Sequence, residues 1–247
     1  MTLEGTNTWV LIEPGGDQAI VVDPGPNDET HRDAILAAVE VAGAKQVALI
    51  VLTHGHSDHA EGAPALAQRA AVPIRAIARA HCSPGQLPLE DGEPLAIGGL
   101  HLDVIATPGH TADSVCFVIN ADAALLTGDT ILGRGSTVVA RPDGELGDYL
   151  ATLRRLAALV DEEQLLVVLP GHGPVVDDPG AKIAAYLQHR EERLQQVRAA
   201  AIASHTVDEV LNAVYGDVAP ELQFAARWSL LAQLDYLRGE GVSVPAE

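Results

Sequence analysis

Three histidines and an aspartate are packed into one short segment, Thr53-His54-Gly55-His56-Ser57-Asp58-His59. It directly follows an apolar run, residues 47–52, whose composition predicts a strand. A loop that leaves a strand end can turn its polar side chains toward a common point, whereas a continuing strand would send alternate residues to opposite faces. Neutral imidazole and carboxylate suit zinc and other borderline divalent metals. The segment therefore predicts a metal site, with His54, His56, Asp58 and His59 as candidate ligands.

Three more candidate ligands each follow an apolar run. They are His110 in Thr107-Pro108-Gly109-His110-Thr111, Asp129 in Leu126-Thr127-Gly128-Asp129-Thr130, and His172 in Leu169-Pro170-Gly171-His172-Gly173. Rigid strands position such side chains, while the loops that follow leave room for a substrate. A single histidine or aspartate of this kind is usually structural, but four such loops in one chain indicate a shared site.

The elements that would position these loops alternate along the first two-thirds of the chain. Short β-branched runs predict strands at 8–12, 19–22, 47–52, 102–106, 114–119 and 165–169. Apolar residues at helical spacing predict helices at 29–41, 59–70 and 147–160. This alternation predicts an α/β or layered α+β fold.

The pattern changes after Pro179. A long charged helix is predicted at 181–203, and Thr206-Val207-Asp208-Glu209 has the form of a capping box that begins another helix. A third helix is predicted at about 221–238. We therefore expect a catalytic domain at 1–180 and a small helical domain at 181–247.

Composition limits the partners. The formal charge of −19 and an aromatic content of 3% disfavour long polyanions and stacked bases, so we expect a small-molecule substrate. Cys82 and Cys116 are expected to be reduced, with Cys116 buried. The chain lacks a basic-then-apolar leader and an apolar run of about 18 residues, so we expect a cytoplasmic protein without a membrane partner. A homo-oligomer stays open.

The ordered motifs, over about residues 5–180, resemble the signature of the metallo-β-lactamase-fold superfamily. This resemblance implies an αββα sandwich of two mixed sheets, with two zinc ions at one edge. The identity of the metal stays open, with iron or manganese also possible, because histidine and aspartate ligands suit several divalent ions. It implies that one metal is held by His54, His56 and His110, the other by Asp58, His59 and His172, with Asp129 bridging both. It also places Asp23, in Val21-Val22-Asp23-Pro24-Gly25, beside the site; opening a turn is that residue's alternative role.

Two further segments point to a branch of this superfamily. Gly5-Thr6-Asn7-Thr8 and Ile131-Leu132-Gly133-Arg134-Gly135-Ser136-Thr137 resemble the group called β-lactamase-like protein two, in which a small winged-helix-like domain follows the metal domain. The aspartate at 129 is similar to that of glyoxalase II-like thioesterases and of transfer-RNA-processing nucleases. Because family members often begin with an extra strand before the Gly-Thr-Asn segment, a truncated start at Met1 is one expectation.

The implied chemistry is hydrolysis. Two metals about 3.5 to 4 Å apart can share a hydroxide and stabilise developing oxyanion charge, and Asp58 could orient that hydroxide as the catalytic residue. The leading hypothesis is a dinuclear zinc hydrolase of a small ester, thioester or lactone. The alternatives are a zinc-dependent endoribonuclease acting on single-stranded RNA and an iron-dependent sulfur dioxygenase. A metal-binding scaffold without catalysis is disfavoured because every ligand position is filled.

Overall fold

The computed structural model describes residues 5–245. They divide into two compact units. The first unit runs from residue 5 to 107 and continues through 113–135 and 159–179. The second unit takes 108–112, 136–158 and the described residues from 180 onward. The domain boundary between residues 180 and 181 stays a prediction.

Two sheets form the centre of the first unit. The first sheet has the order β1 (Trp9–Ile12), β2 (Gln18–Val22), β3 (Gln46–Val51) and β4 (Ile74–Arg75). Its first two strands are antiparallel, and the other neighbours are parallel. The second sheet has the order β5 (Pro94–Ile97), β6 (Leu100–Ala106), β7 (Val115–Ile119), β8 (Ala124–Gly128) and β9 (Val167–Pro170). Only its β8–β9 pair is parallel.

Each face of the first sheet lies on a core. Ile20 and Val22 point into a cluster shared with the second sheet, which includes Phe117. Ala19 and Val21 alternate to the opposite face and pack with helix residues of α1 (Glu29–Val41), α2 (Ser57–Ala60) and α3 (Ala63–Ala70). Burial on both faces explains why these strands are continuously apolar in sequence. The layered α/β fold with mixed sheets confirms the predicted fold class.

The single helix predicted at 59–70 is wrong, because the structure has two helices there. The break lies at Glu61 and Gly62, where the Gly62 amide donates to the Gly25 carbonyl at 2.8 Å. Pro64 then occupies the first turn of α3. Proline has no amide hydrogen and its ring clashes with the carbonyl four residues earlier, so a helix cannot pass through this position unbroken. The first of the two helices, α2, carries Asp58 and His59.

The six predicted strands are confirmed to within one or two residues. The sequence pattern gave no bounds for β8, which was indicated only by the apolar run before Asp129, and it missed β4 and β5. Two residues are too few to show the alternation that identifies a strand. β5 begins with a proline, which is tolerated at the first residue of a strand but weakens its sequence signal.

Helices make up most of the second unit. They are α4 (Leu146–Glu162), of which residues 146–158 belong to this unit, α5 (Pro179–Ala203), α6 (Val207–Tyr215) and α7 (Gln223–Gly239). The capping box is confirmed, since the Glu209 amide donates to Thr206 Oγ1 at 3.2 Å and the Glu209 carboxylate accepts from the Thr206 amide. Val210 and Leu230 are among the buried residues of the helical core. Within residues 5–245, no helix is long and apolar enough to cross a membrane.

Candidate metal centre

Four ligand-type atoms from three predicted loops converge in the first unit. His59 Nε2 lies 3.1 Å from His172 Nε2. Asp58 Oδ2 lies 3.2 Å from His172 Nε2 and 3.8 Å from His59 Nε2. Asp129 Oδ1 lies 3.4 Å from each of the two ring nitrogens. Ligand atoms bound about 2.0–2.1 Å from a tetrahedral zinc ion lie about 3.3–3.4 Å apart, so the spacing of this group fits such an ion.

The proton positions also fit a cation. His59 Nδ1 lies 2.8 Å from the Asp23 carboxylate, and His172 Nδ1 lies 2.8 Å from the Gly5 carbonyl. Both partners accept, so each neutral ring keeps its proton on Nδ1 and directs the Nε2 lone pair inward. Two imidazole lone pairs and two carboxylate oxygens then face one another. A divalent cation satisfies all four, and the residues therefore fit the metal that their types predict.

Asp23 holds this arrangement from behind. Its Oδ1 accepts from the Thr53 amide at 2.8 Å, and its Oδ2 accepts from the Thr53 hydroxyl at 2.6 Å as well as from His59. Because the Thr53 hydroxyl donates to Asp23, it accepts from His54 Nδ1, 3.1 Å away. One buried carboxylate thus sets the proton position on His59 directly and on His54 through a hydroxyl.

The backbone of Asp23 is itself unusual. Its φ is 49°, in the left-handed region, where a non-glycine residue is uncommon and aspartate is among the more tolerant types. Its amide donates to the Val51 carbonyl at 3.1 Å, which fastens this conformation to the end of β3. Residues in sparsely populated backbone conformations cluster at functional sites, where the surrounding contacts hold them in place. Asp23 therefore both forms the turn after β2 and supports the candidate ligands.

Gly171 makes room for the converging side chains. A Cβ atom at this position would lie 2.8 Å from Asp129 Oδ1 and 2.8 Å from His59 Cε1. Any larger residue would push into the group of ligand atoms. The glycine before His172 is thus required by close approach.

Residues of the N-terminal segment form hydrogen bonds with the segments that carry the candidate ligands. The sequence analysis did not predict these contacts. Thr6 Oγ1 donates to the Asp58 carbonyl at 2.7 Å. The Asn7 side chain donates to the carbonyls of Pro170 and Gly173 at 3.0 and 2.8 Å, on both sides of His172. Residues 5–7 therefore fix the loops of two candidate ligands.

When no metal is present, the charges around the cluster favour protonation of His59 and His172 and ionisation of Asp58. Burial by itself lowers the pKa of His59, but the carboxylates of Asp23 and Asp129 outweigh it and raise that pKa to about 10. The pKa of His172 is also raised, because a hydrogen bond to Asp58 and the charge of Asp129 outweigh burial. The same hydrogen bond holds the pKa of Asp58 well below its usual range, against the effect of burial. Protons and a metal would compete for these atoms.

The remaining candidate ligands lie in both units. A ligand atom of His54 is within 4.8 Å of ligand atoms of His59 and Asp129, and the His54 and His56 rings have centroids 4.7 Å apart. His110 belongs to the second unit, where its Nδ1 lies 2.7 Å from the Val138 carbonyl. The assignment of individual ligands to two metals stays a prediction.

Two further histidines, His31 and His81, lie near the candidate ligands. A Cβ atom at Gly55, between His54 and His56, would lie 2.3 Å from the His81 ring. His31 Nε2 is 2.9 Å from Thr8 Oγ1, and that hydroxyl donates to the Asp23 carbonyl. Neither histidine lies in a local motif, so only the fold could reveal these positions.

Comparison with known proteins places the chain in a family. The model of the metallo-beta-lactamase superfamily matches residues 1–172. The lactamase-like protein vrtG of Penicillium aethiopicum is 35% identical over 244 residues, covering 95% of this chain and 76% of that protein. The beta-lactamase-like protein 2 homolog of Caenorhabditis elegans is 32% identical over 256 residues, covering 98% and 81%. The atrochrysone carboxyl ACP thioesterase AgnL7 of Paecilomyces divaricatus is 31% identical over 224 residues, covering 87% and 68%.

Solved structures share the fold. A beta-lactamase domain protein from Burkholderia ambifaria superposes with a TM-score of 0.79 at 23% identity, covering 96% of this chain and 82% of that one. The protein TTHA1623, solved in a di-iron-bound form, superposes with a TM-score of 0.55 at 27% identity, covering 77% and 96%. These matches confirm the family resemblance carried by the histidine and aspartate motifs. The chain belongs to the metallo-β-lactamase superfamily and is a metal-dependent hydrolase.

Proposed function

We propose that the protein is a dinuclear zinc hydrolase of a small thioester, ester or lactone. The observation that carries this proposal is the convergence of His59, His172, Asp58 and Asp129, with the ring protons held on the far side of both imidazoles. Bound zinc would supply a water of lowered pKa as nucleophile and a Lewis acid for the carbonyl oxygen.

The chain's own residues divide their work by exposure. The His59 and His172 side chains are fully buried, whereas Asp58 is 31% exposed and Asp129 14% exposed. Asp58 is therefore the member of the group most open to solvent and substrate. Its carboxylate, whose pKa lies well below its usual range, would stay ionised and orient the attacking water by accepting a hydrogen bond from it.

A thioester is the favoured substrate class among the three. The name of AgnL7 identifies that relative as a thioesterase, and it covers 87% of this chain. The charge of −19 and the scarcity of aromatic residues continue to disfavour RNA. The endoribonuclease hypothesis, the cytoplasmic location and a homo-oligomer stay predictions.

Iron is the second candidate metal. TTHA1623 was solved with two irons on the same fold, and imidazole and carboxylate ligands suit both metals. An iron-dependent sulfur dioxygenase is the corresponding alternative function. It would consume oxygen, which a hydrolase does not.

The experiment measures metal content by mass spectrometry on protein purified without added metal. The same protein is then assayed with thioester, lactone, phosphodiester and RNA substrates. Two zinc ions per chain with thioester, ester or lactone hydrolysis would support the proposal. Iron with oxygen uptake and no hydrolysis would replace it with the dioxygenase, and salt-sensitive RNA cleavage would replace it with the nuclease.

A further inference from the structure

The second unit contains a buried arginine that the proposed chemistry does not use. Arg190, on α5, is only 9% exposed. In the described part of the chain it forms no ion pair with a carboxylate, and its Nε has no hydrogen-bond partner. A buried charge without a counter-ion is costly, and an apolar side chain of similar volume would often fill the same space at less cost. Its contacts therefore indicate what it contributes.

Two of the contacts that Arg190 makes lead toward His110. Its guanidinium donates to the Thr137 carbonyl and lies 5.0 Å from the centroid of the Tyr149 ring. The next residue after Thr137 is Val138, whose carbonyl accepts from His110 Nδ1 at 2.7 Å. Arg190 thus fastens the peptide directly before the one that holds the imidazole.

Tyr149 fixes the other side of the same histidine. Gly109, with a φ of 141°, lies so close to this helix residue that a Cβ on the glycine would be 2.3 Å from the Tyr149 Cα. Tyr149 is fully buried beneath the Arg190 guanidinium. The residue before His110 therefore lies against the backbone of Tyr149, the residue whose ring Arg190 covers.

Backbone contacts complete the support of this loop. Thr152 Oγ1 donates to the Pro108 carbonyl at 2.7 Å, and the Glu145 amide donates to the Gly109 carbonyl at 3.0 Å. These bonds fix the path of the loop but not the rotation of the imidazole. That rotation depends on the Val138 carbonyl, because it is the acceptor for Nδ1.

We propose that Arg190 is a positioning residue that holds the Val138 carbonyl in place, so that His110 keeps its proton on Nδ1 and presents Nε2 to a metal. This inference rests on the proposed function and on the ligand role that the family resemblance implies for His110. Partners behind a ligating histidine fix its orientation and typically change metal affinity 10- to 100-fold when they are lost. Lysine does not reproduce the planar guanidinium that reaches a carbonyl and covers a ring together.

Arg193 provides a matched control one turn along the same helix. It donates to the Val214 carbonyl at 2.9 Å and lies 4.8 Å from the centroid of the Tyr215 ring. The two arginines therefore make the same kinds of contact. Arg190 contacts the segment that holds His110, and Arg193 contacts α6. Loss of either removes a carbonyl hydrogen bond and a ring contact.

The test compares Arg190→Gln and Arg193→Gln by zinc titration and by the visible spectrum of the cobalt-substituted protein. We expect R190Q to bind one of the two metals about 10- to 100-fold more weakly and to change the cobalt spectrum, with R193Q like the unmodified protein in both. Arg190→Lys should fall between them; it also serves if R190Q does not fold. Unchanged titration and spectrum in folded R190Q or R190K, or equal losses in R190Q and R193Q, would overturn the inference.

His110→Ala separates the inference from the proposed function. If H110A keeps both metals at full affinity, the ligand role proposed for His110 fails, whatever the arginine variants show. If H110A loses one metal and R190Q does not, only the positioning role of Arg190 fails. Loss of the same metal in both variants supports the two claims together.

Discussion

His59 and His110, both candidate metal ligands, show two ways of fixing the orientation of an imidazole. His59 directs its Nδ1 to the buried carboxylate of Asp23, whereas His110 directs its Nδ1 to the Val138 carbonyl. A carboxylate is a charged acceptor, so it fixes the ring and also raises its basicity. A carbonyl fixes the ring with little change in charge, and its own position depends on the peptide that carries it. A single substitution of Asp23 removes the carboxylate acceptor. A backbone carbonyl cannot be removed in this way, so the acceptor of His110 must be tested by substituting neighbours such as Arg190.

The largest effect should come from the exposed member of the cluster around His59. Asp58→Ala removes a candidate metal ligand and the carboxylate that would orient the attacking water. We expect loss of zinc from that group and a fall in kcat/KM of at least about a hundredfold. Metal analysis and thioester hydrolysis measure both. Glu61→Ala, an exposed carboxylate just after α2, is the control, and full turnover of metal-free D58A would refute the mechanism.

Asp23→Asn tests the carboxylate device itself. The amide preserves shape but removes the charge that holds the His59 proton on Nδ1. Zinc affinity should fall about 10- to 100-fold, with less change in the fold than in the affinity. Isothermal titration with zinc measures it. Asp28→Asn, which changes the same charge at the α1 N-cap, should leave zinc affinity unaltered; equal losses in the two variants would contradict a specific role for Asp23.

Proton release on zinc binding measures the same device without loss of a ligand. With its pKa raised to about 10, metal-free His59 is protonated at pH 7 and must release that proton to bind a metal. Zinc affinity should therefore weaken as the pH falls from about 10 toward 7. Titrations in buffers of different ionisation enthalpy should count on the order of one proton per zinc at pH 7. Release of none would show that the Asp23 and Asp129 carboxylates do not keep His59 protonated.

The smallest effect should come from a substitution at the N-terminus of α6. Thr206→Ala removes the side-chain acceptor of the α6 capping box and should lower the free energy of unfolding by about 1 kcal/mol. Zinc affinity should not change. Chemical denaturation and zinc titration measure the two quantities, with Ser204→Ala as the control. A loss of zinc affinity in T206A would contradict the expectation that this helix does not affect metal binding.

The sequence alone established the types of the candidate ligands and their place after strands, because both are local properties. His54 to His59 follow β3, Asp129 follows β8 and His172 follows β9, as the apolar runs predicted. The capping box at Thr206 was equally local and is confirmed. The broken helix at Gly62 was missed, because the spacing of apolar residues outweighed the signal of Pro64.

Only the tertiary structure decided which atoms face one another and where the ring protons lie. The bonds that do this join residues far apart in the chain: His172 to Gly5, Asn7 to Gly173, and His59 to Asp23. Local periodicity carries no information about such pairs, since they form only when the sheets and loops have packed. Short motifs thus encode the candidate ligands, and contacts between distant residues of the first unit orient the side chains of His59 and His172.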